Sequence, residues 1–208
     1  VEGVLQQVLL KTRAAWEGAA DESAKERALQ EYLLVVSVMA NHYVNTQRYP
    51  EAVSLYTEIL KHQEDNLIAL NNRAMILAAQ ASNLDRALDD INTIIKREGP
   101  LPMLVDPQAM VLRAAGNHPQ ALAASRRVIS EKPSQLDAAS NKNLAKQWGG
   151  YYFHLALMCD ANGDARGAAD AMREAVALGF ESSDVFAPEL PNWTRLVAQF
   201  NMEVKPGK

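Results

Sequence analysis

The sequence predicts an all-α chain built from stacked helix–turn–helix units. Three observations carry this. Hydrophobic residues make up 48%, charged residues 22% and aromatics 6%, with an Ala and Leu lean that favours helix over sheet. The nine prolines and ten glycines fall mostly between segments whose apolar residues recur every third or fourth position. Those segments then repeat at a period close to 34 residues. The 208 residues are enough for one or two domains with a real core.

The elements follow in order. Residues 1–20 place Val4, Leu5, Val8, Leu9, Ala15 and Trp16 at helical spacing, and Gly18 closes that helix. Ser23 with Glu26 matches a capping box, so a long second helix is expected to begin there and run to about Gln47. Pro50 sits where proline is tolerated, in the first turn of a third helix carrying Ala52, Val53, Tyr56, Ile59 and Leu60. The plan returns as Leu67–Gln80, then Asn83 as the N-cap of Leu84–Arg97, which Gly99-Pro100 ends. A third pair is Leu101–Ala115 and the helix opened by Pro119, ending before Pro133. Pro107 inside the first of these implies a late start or, as favoured here, a kink or a loosened first turn. Residues 134–148 are polar, partly helical by expectation, and end in Trp148-Gly149-Gly150. Tyr151–Ala161 and Ala165–Leu178 form a fourth pair, followed by a short helix with Trp193, Leu196, Val197 and Phe200 and a tail from Met202 expected to fray.

Counting fixes the period. Ala52, Ala87, Ala121 and Ala168 are separated by 35, 34 and 47 residues, the last being 34 plus an insertion of 13. Twelve residues before each stand Ala40, Met75, Ala109 and Ala156. Small residues at these places let paired helices approach closely. A period of 34 with such hairpins resembles the tetratricopeptide repeat family. Ala40, Tyr43, Ala52 and Tyr56 match its pattern best; Ala109, Ala121 and Pro133 match in the third unit, and Leu155, Ala156 and Ala168 in the fourth. Val36, Asn71, Val105 and Tyr152 stand where the family has Trp, Ser125 replaces an aromatic, and Met75 replaces a small residue. An irregular all-α bundle and a related helical-hairpin solenoid are the rival readings.

The resemblance implies a right-handed superhelical stack with capping helices at both ends. Its extent is residues 33–180, as four repeats at about 33–66, 67–100, 101–134 and 149–180, interrupted at 134–148. Residues 1–32 form an N-terminal cap that does not continue the phase, and 181–208 a C-terminal capping helix and tail.

Little in the chain suggests chemistry. The formal net charge of −4 and the lack of a Lys/Arg cluster argue against nucleic acid. The one cysteine, Cys159, excludes an internal disulfide and reads as a buried small hydrophobe. His42, His62, His118 and His154 are scattered over separate units without metal-ligand spacing. His154 reads as a groove contact or a satisfied imidazole. Asp160-Ala161-Asn162-Gly163-Asp164 fails as a calcium loop, because its glycine is too early and no closing Glu follows. Asp85, Asp89 and Asp90 read as a solvated acidic face. No phosphate loop or nucleophile elbow occurs, so no catalytic residue, cofactor or metal is expected and the chain is not expected to be an enzyme. The longest apolar run, Tyr32–Ala40, is about half of the ~20 residues a membrane span needs. The chain begins on Val1 rather than Met, as a truncated N-terminus would, so the missing signal peptide carries no weight. A cytoplasmic location is the slight favourite.

In the family that the repeats resemble, the first helices of successive units line a groove that takes a peptide. That implies Ser37, Asn41 and Asn45 from the first unit, and Asn72, Arg73, Ile76 and Gln80 from the second. It implies Asp106, Met110 and Arg113 from the third, and Phe153, His154, Leu157 and Asp160 from the fourth. Asn is suited to this because an amide both donates and accepts. A subclass that clamps the C-terminal carboxylate of chaperones uses five Lys, Asn and Arg positions. Only Asn41 fits; Ser37, Arg73, Met103 and Pro107 stand at the others, which excludes that clamp. The expected partner is a protein or peptide with some hydrophobic content. The expected role is a non-catalytic scaffold. The alternative is a regulatory or packing arm of a longer multidomain enzyme or sensor, with the groove filled by another domain of the same chain.

Overall fold

A computed structural model of the chain describes residues 2–136, 139 and 141–202. Among them are ten α-helices and no strand. They divide into two compact units, one up to Ile76 and one from Leu77 on, with the division falling inside the fourth helix.

The first unit opens with α1 (Glu2–Glu17), which packs on α2 (Glu22–Asn45) without fully burying any of its own residues. Its anchor is Trp16, stacked on Tyr32 of α2 at 5.4 Å and meeting the His62 ring edge-on at 5.0 Å. The cap of α2 is Asp21, not Ser23. The Asp21 carboxylate accepts from the Ala24 N–H at 2.8 Å, while the Ser23 hydroxyl accepts from Arg27 instead. Two rival caps stood two residues apart, and the ionised one took the helix N-terminus. α3 is Tyr49–His62, with Pro50 in its first turn as expected, and α4 is Leu67–Ala79.

The second unit holds α5 (Leu84–Glu98), α6 (Pro102–Ala114), α7 (His118–Ser130), α8 (Lys142–Ala161), α9 (Ala165–Ala177) and α10 (Leu190–Gln199), with 3-10 turns at Ser182–Asp184 and Ala187–Glu189. Asn83 precedes α5 in left-handed backbone, φ 46°, and makes no side-chain capping bond. Pro107 neither delays nor ends α6, which starts at Pro102 and runs through it. The missing N–H falls in the second turn, where the cost is one bond to the Met103 carbonyl.

The largest departure is α8. Trp148-Gly149-Gly150 do not end the insertion; the helix starts at Lys142, capped by Asn141 on the Leu144 N–H at 3.1 Å, and passes straight through both glycines. Their purpose is close approach. A Cβ on Gly149 would lie 2.6 Å from Cβ of Phe180. Of the insertion, residues 137, 138 and 140 lie outside the described residues, as do 203–208 of the expected fraying tail.

The small residues that set the period behave as packing residues. Ala40, Ala52, Ala87, Ala109, Ala121, Ala156 and Ala168 are all fully buried. Asp90 is buried too, so Asp85, Asp89 and Asp90 do not form one solvated face.

Candidate functional site: two helix faces

In the first unit, the outward face of α2 meets the start of α4 across a cleft of about 320 Å³. Leu34 and Ser37 of α2, Tyr56 and Ile59 of α3, and Ile68 of α4 line it. Leu34 and Ile68 are two-thirds exposed, and Val38 nearly half. One turn on from Ser37, the Tyr56 hydroxyl donates to Oδ1 of Asn41 at 2.7 Å and accepts from Nδ2 of Asn72 at 3.2 Å. This fixes both amides: Asn41 is left with its NH2 to donate, and Asn72 with its carbonyl to accept. Burial holds the Tyr56 pKa above its ordinary value, so the phenol keeps its proton. A donor and an acceptor beside an apolar cleft is the pairing that a peptide backbone with apolar side chains requires.

Other expected groove residues of this unit sit elsewhere. Asn45 is exposed on the last turn of α2. Arg73 is buried and donates to the Thr57 hydroxyl at 3.0 Å, and Ile76 has no exposed surface. The expectation missed Leu34, Val38 and Ile68. For Leu34 and Val38 the signal was in the run Tyr32–Ala40, which is apolar on more sides than a one-sided helix needs.

In the second unit the corresponding residues are covered. His154 of α8 lies between two carboxylates, with Nδ1 2.6 Å from Oδ2 of Asp106 (α6) and Nε2 3.1 Å from Oε2 of Glu189. The three side chains are 12%, 5% and 3% exposed. Burial by itself lowers the imidazole pKa, but the charges and hydrogen bonds of Asp106 and Glu189 outweigh it and hold the pKa well above 6.5. Burial pushes the Asp106 carboxyl up, with His154 opposing. Arg113 of α6 faces Glu189, and its guanidinium pKa is lowered by burial. Asp106 Oδ1, Glu189 Oε1 and Arg113 Nε are buried with no hydrogen-bond partner among the described residues.

Around this cluster, Asp160 accepts from Arg195 at 2.9 Å and from Gln199 at 3.2 Å, both on α10. Phe153 meets Trp193 edge-on at 5.3 Å. Met110, Phe153 and Leu157 are buried in the unit's core. Glu189 and Arg195 were not foreseen, since the sequence puts 35 residues between each and its partner on α8.

The arrangement does not suggest a metal centre. The two carboxylates stand on opposite sides of the imidazole, and among the described residues no group of three or more His, Cys, Asp and Glu could hold an ion. Cys159 is buried, which raises its thiol pKa and suppresses the reactive thiolate. No helix among the described residues is long and apolar enough to cross a membrane.

Comparison with known proteins agrees with this architecture. Residues 38–101 match the family model described as tetratricopeptide repeat. A tetratricopeptide repeat protein from Parabacteroides merdae superposes with a TM-score of 0.63 at 18% identity, covering 96% of this chain and 71% of that one. The MamA 41-end fragment from Desulfovibrio magneticus gives 0.54 at 15%, covering 86% and 94%. BtubC from P. vanneervenii gives 0.52 at 15%, covering 100% and 94%. No curated protein matches the sequence. The chain therefore carries tetratricopeptide repeats, over residues 38–101 by sequence, and has the all-helical fold of tetratricopeptide repeat proteins.

Proposed function

We propose that the protein is a non-catalytic interaction scaffold, and that the first unit's face takes a peptide or protein segment in extended or helical form. The observation that carries this is the Asn41–Tyr56–Asn72 chain beside the cleft of Leu34, Ser37 and Ile68. A buried phenol orients two amides outward, next to large apolar side chains that water faces. Placing such side chains against a partner removes apolar area from water at about 25 cal/mol per Å². The net charge of −4 and the clamp positions favour a partner other than nucleic acid or a chaperone carboxylate.

The test is an affinity capture with wild type and Asn41→Ala/Asn72→Ala, after circular dichroism shows equal helicity. Proteins captured by the wild type should be depleted at least tenfold with the double variant. Capture of the same proteins in the same amounts removes this face from consideration.

The alternative is a regulatory or packing arm of a longer enzyme or sensor, with the groove filled by another domain of the same chain. A local parallel stands in the second unit, where Glu189 meets His154 and α10 meets Phe153 and Asp160, side chains that the repeat pattern assigns to the groove.

A further inference from the structure

The C-terminal segment follows α8 along its length. Phe180 seats on Gly149 and Gly150. Lys146 then donates to Glu181 at 3.1 Å and to Asp184 at 2.8 Å. Glu189 reaches His154, Trp193 reaches Phe153 and Phe180, and Arg195 and Gln199 reach Asp160. Leu196 is fully buried. Glu189, Trp193 and Leu196 are spaced four and three apart, so they form one helical face.

The ties are of two kinds. The apolar ones are well packed. The ionic ones are not fully satisfied: among the described residues Glu189 and Asp106 each keep one buried oxygen, and Arg113 its Nε, without a hydrogen-bond partner. A buried ion cluster left incomplete returns less than its desolvation cost. Residues chosen only to cap a helical unit would be better apolar here. His154 and Arg113 are suited instead to accepting a carboxylate from an incoming helix.

We propose that residues 180–200 occupy in cis a recognition face made by α6 and α8, and that the partner this face fits is an amphipathic helix of the same design. Such a helix carries a carboxylate at its N-terminal end, an aromatic four residues on, an aliphatic three after that, and a flanking cation. The carboxylate takes the place of Glu189 between His154 and Arg113, the aromatic enters beside Phe153, and the cation pairs with Asp160. This rests on the scaffold reading above but concerns a different face, so the two can fail separately.

The experiment uses the full chain, as wild type and as Glu189→Gln/Arg195→Ala, with a fluorescein-labelled peptide of residues 185–201 read by anisotropy. The variant is expected to bind the peptide at least tenfold more tightly than the wild type, because a larger fraction has the face free. A peptide with Trp193→Ala should bind at least tenfold more weakly. Equal binding of both peptides, or binding to neither protein, overturns the proposal. So does binding that is abolished by adding Asn41→Ala/Asn72→Ala, which would place the peptide on the first unit instead. A second measurement needs no variant. In the wild type, amides 190–199 should exchange with deuterium at least tenfold faster than amides 151–159. Equal exchange makes the segment an inseparable part of the core and also overturns the proposal.

Discussion

At the scale of single residues, the Tyr56 hydroxyl links three helices through two amides. Tyr56→Phe keeps the ring and removes the bridge. It should cost about 1 kcal/mol by urea denaturation and free both amides to rotate. No change in stability would mean the bridge is not maintained in solution. His154 titrates in a known direction. Its folded pKa is raised, so the imidazolium's contribution is complete below the unfolded value of about 6.5. It is lost as pH rises through the folded pKa. The charged groups on the ring are Asp106 from α6 and Glu189; Glu189 in turn acts on Arg113 of α6, which also feels Asp160 of α8 and Arg195 of α10. Nitrogen NMR of the His154 ring should show both nitrogens still protonated above pH 6.5, and amides 190–199 should lose protection only as the pH rises through the folded pKa. A neutral ring at pH 7 would contradict the ion cluster. Gly149→Ala gains helix propensity but drives a Cβ into Phe180 and the Ala175 carbonyl, 3.2 Å away. Overpacking of this kind costs about 1–3 kcal/mol, so the thermal midpoint should fall.

At the scale of elements, the caps decide where helices begin. Asp21→Ala should cost about 1 kcal/mol, and Ser23→Ala much less. The reverse order would restore the capping box at Ser23. α8 gives the opposite lesson about breakers. Two consecutive glycines lower helix propensity by about 1 kcal/mol each, yet the helix continues, because Trp148, Tyr151 and Leu178 pack around that stretch and Phe180 fills the space the glycines leave. Propensity suggests a boundary there, and tertiary packing removes it.

At the scale of the molecule, the contacts fall into two sets, divided within α4. In repeat proteins stability is close to a sum of local terms. Met172 is fully buried in the second unit, and Met172→Ala should cost about 2–5 kcal/mol there. Amides of α8 and α9 should exchange faster, while those around Val36 and Tyr56 change little. Equal acceleration in both sets would show a single cooperative unit.

How much was legible follows from what each feature depends on. The helices, the positions of Ala40, Ala52, Ala87, Ala109, Ala121, Ala156 and Ala168, and the inertness of Cys159 depend on local pattern and volume, and were readable from the sequence. Ser37, Asn41 and Asn72, which the proposed face uses, come from counting along the repeat period, whereas the exposed Ile68 carries no periodic mark and Leu34 only the excess apolarity of Tyr32–Ala40. What only the tertiary structure decided is which surfaces are covered. The His154 pKa is raised because Asp106 and Glu189, 48 and 35 residues away in the chain, are brought to its two nitrogens. A pKa is set by neighbours in space and by loss of water, and neither is encoded at the residue's own position. The sequence by itself determined a chain of helical hairpins; the folding-back of residues 180–200 determined which side chains of α6 and α8 are covered.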